Sequence, residues 1–114
     1  MLNYTEYDRR VYETELKNFL PQEFIDCHIH IWKKEFPSAG DSNGGSTWPK
    51  RVAEELTGEQ LVDALKVLFP DSKVTPLIFG GCSKDIDMCN AYVSEKAKEL
   101  GFPRLFRTDY RMTP

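Results

Sequence analysis

His28 and His30 stand two residues apart in the run Phe24-Ile25-Asp26-Cys27-His28-Ile29-His30-Ile31-Trp32. On an extended strand, residues at i and i+2 point to one side, about 6–7 Å apart, close enough for two imidazoles to converge on one ion. Neutral imidazole is the commonest side-chain ligand for transition metals and suits zinc, iron, nickel or copper. Asp26 falls on the same alternation and is expected to share that face, where a carboxylate would orient an imidazole or bind the ion more weakly. The plainer account is an edge strand whose polar face is merely solvated. Placement favours the metal, because the pair sits at the C-terminal end of its strand and ahead of a long loop. In parallel α/β architectures, sites are built at that end.

The elements that must position the pair follow from periodicity and punctuation. Residues 6–20 carry Tyr7, Val11, Tyr12, Leu16, Phe19 and Leu20 at helical spacing, with Thr5 as N-cap and Pro21 as the stop. From Ile25 onward the next run alternates, with Ile25, Cys27, Ile29 and Ile31 predicted on one face and Asp26, His28 and His30 on the other. Residues 33–50 are rich in Gly, Ser, Pro, Asn and Asp and read as a loop on the active-site side. Its length and its Phe36 and Trp48 favour a lid over a linker. Thr57-Gly58-Glu59-Gln60 is a capping box opening a second helix, whose stripe is Leu61, Ala64, Leu65 and Leu68. A short buried strand over 73–81 ends on Gly80-Gly81. Pro76 is tolerable near its start. A third helix over 84–100 is capped by Ser83 or Asp85 and closed by Gly101, with Pro103 beyond. Residues 105–110 read as a last strand. Strands that alternate with helices imply parallel pairing and right-handed crossovers.

With 114 residues the chain allows one domain. Its 40% hydrophobic content argues against disorder throughout, and no apolar run is long enough to span a membrane. The opening MLNYTEYDRR has no apolar core of a secretory signal. Three cysteines, Cys27, Cys82 and Cys89, form no close pair, so reduced thiols and a cytoplasmic location are expected. A net charge of −3 without a basic stripe gives no electrostatic footprint for nucleic acid, which is not expected as a partner.

The segment from Phe24 to Trp32 resembles the first strand of the metal-dependent amidohydrolase superfamily. It is closest to the amidohydrolase-related group of hydrolases and metal-dependent decarboxylases that act on small carboxylated or lactone substrates. Val74-Thr75-Pro76-Leu77-Ile78-Phe79-Gly80 and Asn90-Ala91-Tyr92-Val93-Ser94-Glu95 are similar to that group's second strand and following helix, so the resemblance spans essentially the whole chain. It implies a (β/α)₈ barrel, of which residues 1–114 would be the N-terminal helix and the first three strands. It also implies a divalent metal, zinc in the first instance, with His28 and His30 as ligands. The family's other ligands and its catalytic Asp lie on later strands, and this chain holds two histidines in all. A catalytic zinc site normally takes three protein ligands plus water. The chain is therefore expected to be the start of a longer barrel and inactive alone. At the pace of its three strands, eight would need on the order of 300 residues, within the usual range for such barrels.

The implied activity is hydrolysis of a C–N or C–O bond by metal-activated water, with decarboxylation as the alternative. A non-catalytic fragment forming a homo-oligomer through open sheet edges is the competing class, and a compact binding module a third. Trp32 is the candidate substrate contact, and Trp32 and Trp48 flank the loop, where they either cover a ligand or anchor the loop. Cys82 follows the glycine pair on the side of the histidines and would form a His/Cys site with Cys89, although Cys89 fits a core position on its helix better. Arg107 and Asp109 share a face of the last strand, where an ion pair is the simpler reading than a contact with substrate carboxylate.

Overall fold

The computed structural model describes residues 2–37, 48–81, 83–109 and 112. Helix α1 (Glu6–Val11) opens on the reciprocal bonds of Thr5 and Asp8, whose side chains each accept the other's backbone N–H. It passes directly into a π-helical turn, Tyr12–Leu16. There the Thr14 hydroxyl donates to the Arg10 carbonyl (2.8 Å), competing with the α-helical amide for that acceptor. Lys17 N–H then reaches the Tyr12 carbonyl at 2.8 Å, five residues back. The predicted helix over 6–20 thus closes at Leu16. From its apolar stripe Tyr12 is buried and donates its hydroxyl to Asp71 (2.8 Å), whereas Phe19 stays 80% exposed.

Strand β1 (Glu23–Ile31) pairs in parallel with β2 (Lys73–Gly80). Between Asp26 and Ile29 the register slips: Asp26 faces Pro76, yet Ile29 faces Ile78. Three steps on β1 against two on β2 make a β-bulge. Its consequence is a change of phase. Before the bulge Phe24 and Asp26 lie opposite Val74 and Pro76, which belong to the buried side of β2; after it that side is taken by Ile29 and Ile31. Ile25, predicted to face the same way as Ile29 and Ile31, is carried to the other side and is 68% exposed. The amide freed by the slip is satisfied locally, since His28 N–H donates to Asp26 Oδ1 at 3.1 Å.

The loop predicted over 33–50 ends in a short helix, α2 (Trp48–Val52), that the sequence reading did not foresee. Residues 38–47 and the Trp48 side chain lie outside the described residues. Phe36 is buried against Tyr92, edge to face at 5.5 Å, and its carbonyl accepts from Lys50 Nζ. Helix α3 (Gly58–Leu68) begins at Thr57 and Gln60 with both bonds of the predicted box formed. Helix α4 (Ile86–Leu100) is capped by Asp85, whose carboxylate accepts Met88 N–H (2.9 Å), and it ends at Gly101 with φ +72°, a left-handed value that favours glycine. Gly58 N–H donates to the Tyr92 hydroxyl and ties α3 to α4. Ile29, Ile31 and Ile78 pack with Leu61 of α3 and with Cys89, Tyr92, Val93 and Ala97 of α4 in one core.

The expectation of three strands of a barrel is overturned. Among the described residues the sheet has two strands, the element order is that of a small α/β domain, and the sheet does not close. The predicted third strand is reduced to one parallel bridge, Ile78 with Arg104, and residues 105–109 are irregular, with Tyr110 outside the described residues. The cause lies in where backbone groups find partners. Ile78 turns its N–H to Pro103 and its C=O to Leu105, so Pro76, two residues earlier, presents a nitrogen without a hydrogen to the same edge. Further along, the Asn90 side chain takes both the N–H (3.0 Å) and the C=O (2.9 Å) of Arg107. Pairing cannot extend in either direction. No helix among the described residues is long and apolar enough to cross a membrane.

Candidate metal centre

β1 and β2 together place three rings on the side of the sheet away from α4. His30 and Phe79 are register partners, with ring centroids 4.1 Å apart, and His28 stands 5.2 Å from both rings. His30 Nδ1 lies 2.7 Å from the Gly80 carbonyl oxygen. A carbonyl only accepts, so this contact assigns the proton to Nδ1 and leaves the Nε2 lone pair free in the neutral ring. Metal-binding histidines are usually oriented by a bond of this kind from the other ring nitrogen.

The free Nε2 of His30 faces His28 Nε2 at 3.3 Å. Two imidazoles bound to tetrahedral zinc at about 2.0–2.1 Å hold their nitrogens about 3.3–3.4 Å apart. The spacing of the pair therefore matches a chelate as it stands. Without an ion the same spacing is a hydrogen bond, with His28 Nε2–H donating to His30. Two lone pairs facing each other are satisfied by a shared proton or a shared cation, so the donor set fits a divalent metal held by His28 and His30.

Among the described residues the other predicted members do not join the two Nε2 atoms, although Asp26 lines the same cavity as the two rings. Asp26 is separated from the imidazole side by the bulge, and its Oδ1 is engaged by His28 N–H. Cys89 is buried in the core, where desolvation pushes its thiol above the usual range. Cys82 lies outside the described residues. Among the described residues no group of three His, Cys, Asp or Glu is arranged to hold a metal. The two histidines are brought together; a third ligand is not.

A cavity of about 670 Å³ adjoins the pair. His28, His30 and Trp32 line it from β1 and the residue beyond, and Leu61, Ala64, Leu65 and Leu68 from α3. No residue of β2 lines it, although side chains from both sides of β1 do, which places the cavity along the edge of β1 that β2 leaves free. Trp32 pairs its backbone with Leu56 on that edge and donates its indole N–H to the Glu54 carbonyl (3.0 Å). The candidate substrate contact thus lines the cavity while also anchoring the segment that leads into α3.

Sequence reasoning overlooked Phe79 and the backbone of Gly80. The pair Gly80-Gly81 was their only signal: a Cβ on Gly80 would come within 2.8 Å of Cys89 Cβ, and one on Gly81 within 3.2 Å of Trp32. Arg107 donates to the Gly81 carbonyl (2.5 Å) and lies 3.4 Å from that of Ser83. Comparison with protein-family models, with curated proteins and with solved structures found no match to this chain.

Proposed function

We propose that the chain carries the two-histidine metal-binding strand of a metal-dependent hydrolase of the amidohydrolase type, acting on a C–N or C–O bond of a small substrate. The observation that carries this reading is the Nε2–Nε2 distance of 3.3 Å, with His30 already oriented through Nδ1 by the Gly80 carbonyl. A divalent metal bound there, zinc in the first instance, supplies Lewis acidity. The chain's own residues do the rest of the local work. His30 keeps its basic nitrogen turned to the ion because its other nitrogen is tied to backbone. Phe79 holds both rings at fixed angles and keeps water from one side of them. The cavity wall of α3 is apolar and suits the uncharged body of a small substrate, with Trp32 at its rim. Two imidazoles leave the remaining positions of a four-coordinate ion to other groups and to the substrate.

Zinc titration of the chain, followed by calorimetry, tests the reading. One ion per His pair is expected, with affinity lowered at least about tenfold in both His28→Ala and His30→Ala, as loss of a ligand should cost no less than loss of a group that supports one. Affinity unchanged in both variants overturns it. A chain that binds no zinc and self-associates supports the non-catalytic class.

A further inference from the structure

We propose that Arg107, held by Asn90, is a positioning residue for His30. The inference rests on the reading of His30 as a metal ligand, and it is carried by a continuous set of bonds across the end of β2. The peptide unit joining Gly80 to Gly81 is grasped at both ends by consecutive residues of β1: its C=O takes His30 Nδ1–H (2.7 Å), and its N–H donates to the Ile31 carbonyl (3.2 Å). The following carbonyl, that of Gly81, takes the Arg107 guanidinium at 2.5 Å. Between these two peptide planes the only free rotations are the two backbone dihedrals of Gly81, a residue with no side chain to restrict them. Fixing the second plane therefore leaves the first only these two rotations and limits how far the acceptor that selects the His30 tautomer can turn.

The guanidinium suits this task because it is always charged and rigidly planar, and so holds a carbonyl in a defined direction. Its own position is fixed from α4, since Asn90 binds Arg107 N–H and C=O together, as a neighbouring strand would. Residues distant in sequence thus converge on two successive carbonyls. The alternative is that Arg107 merely fastens residues 104–109 to the domain, in which case the loss of its side chain changes stability and leaves the imidazole as it was.

The two roles separate in a measurement on His30 itself. In the zinc-free chain, at a pH that keeps both rings neutral, imidazole nitrogen chemical shifts report the tautomer. Wild type is expected to hold the proton on Nδ1, and Arg107→Ala to show a mixture of Nδ1–H and Nε2–H forms at His30. Zinc affinity of Arg107→Ala is expected to fall about 10–100-fold, the usual cost of losing a group that orients a ligand. Arg107→Lys, which retains a cation on a long stem, is expected to restore part of both, and it decides the question where Arg107→Ala does not fold. Thr57→Ala, which weakens the α3 cap far from this carbonyl, is the control, with lowered stability and an unchanged tautomer. A folded Arg107→Ala chain with the wild-type tautomer and zinc affinity overturns the proposal. If wild type binds no zinc, the metal reading fails, and the tautomer comparison still decides whether Arg107 positions the ring.

Discussion

The two sides of the β1–β2 sheet differ as much as two proteins would. One side is closed: Ile29, Ile31 and Ile78 lie under α3 and α4, and Ile31, Ile78 and Val93 are wholly buried. The other carries His28, exposed, and His30 and Phe79, half-buried, beside the cavity that α3 walls. Parallel sheets usually have both faces covered. Stability is thus concentrated on one side and chemistry on the other, and residues one step apart on β1 answer to different demands.

That division is open to direct attack. The largest effect is expected at Ile78, where truncation to Ala leaves a cavity between the sheet and α4 and costs about 2–5 kcal/mol. Urea unfolding with an unchanged slope would measure it, and a loss near zero would show that α4 is not what closes this side. Asp85→Ala removes the N-cap of that helix and is expected to cost about 1 kcal/mol, read in the same assay.

A smaller effect belongs to the bridge between the covering helices, where Lys96 of α4 is paired with Glu59 of α3 and with Glu99. The Lys96 bond holds the Glu59 carboxyl below its ordinary value of 4.5. The bridge's contribution is therefore complete above that value and is lost as pH falls through the lower folded one. With Glu59 more than half exposed, Glu59→Gln is expected to cost about 0.2–1 kcal/mol at neutral pH. Unfolding curves of the two proteins should converge in acid; a gap that persists there would remove the electrostatic explanation. The smallest effect is expected on the open side, where His28→Ala changes stability by no more than about 0.5 kcal/mol while abolishing the metal chelate. A large loss of stability there would mean that the imidazoles belong to the core after all.

What the sequence made legible were the features decided within a few residues. Thr57 and Gln60 cap α3 by bonds to each other's backbone, Asp85 caps α4 and Gly101 ends it, and each needs no distant partner. The His-x-His pair was legible for the same reason, because i and i+2 on a strand share a side wherever the strand goes. Asp26 was misplaced because strict alternation fails at a bulge, and a bulge is a relation between β1 and β2 rather than a property of β1. The strand predicted over 105–110 has a suitable pattern, yet Asn90 and Pro76, remote in sequence, decide the fate of its ladder bonds. Helix α1 was overextended because Thr14 competes for the Arg10 carbonyl, a choice between two local bonds that apolar spacing does not register. The Gly80 carbonyl was invisible because a backbone acceptor has no letter of its own.

The slip between Asp26 and Ile29 also determines which kinds of sequence change this strand tolerates. A substitution alters one side chain and leaves its neighbours where they were. Loss of the extra residue at the slip would match two steps on β1 to the two on β2 and leave both arms of the strand on the sides they already hold. A one-residue shift of the arm beyond the slip is what would drive the imidazoles toward α4 and Ile29 and Ile31 out into water. Replacements along β1 and loss of Cys27 therefore leave the site and the core on their own sides, whereas a one-residue shift of the arm beyond the slip exchanges them together.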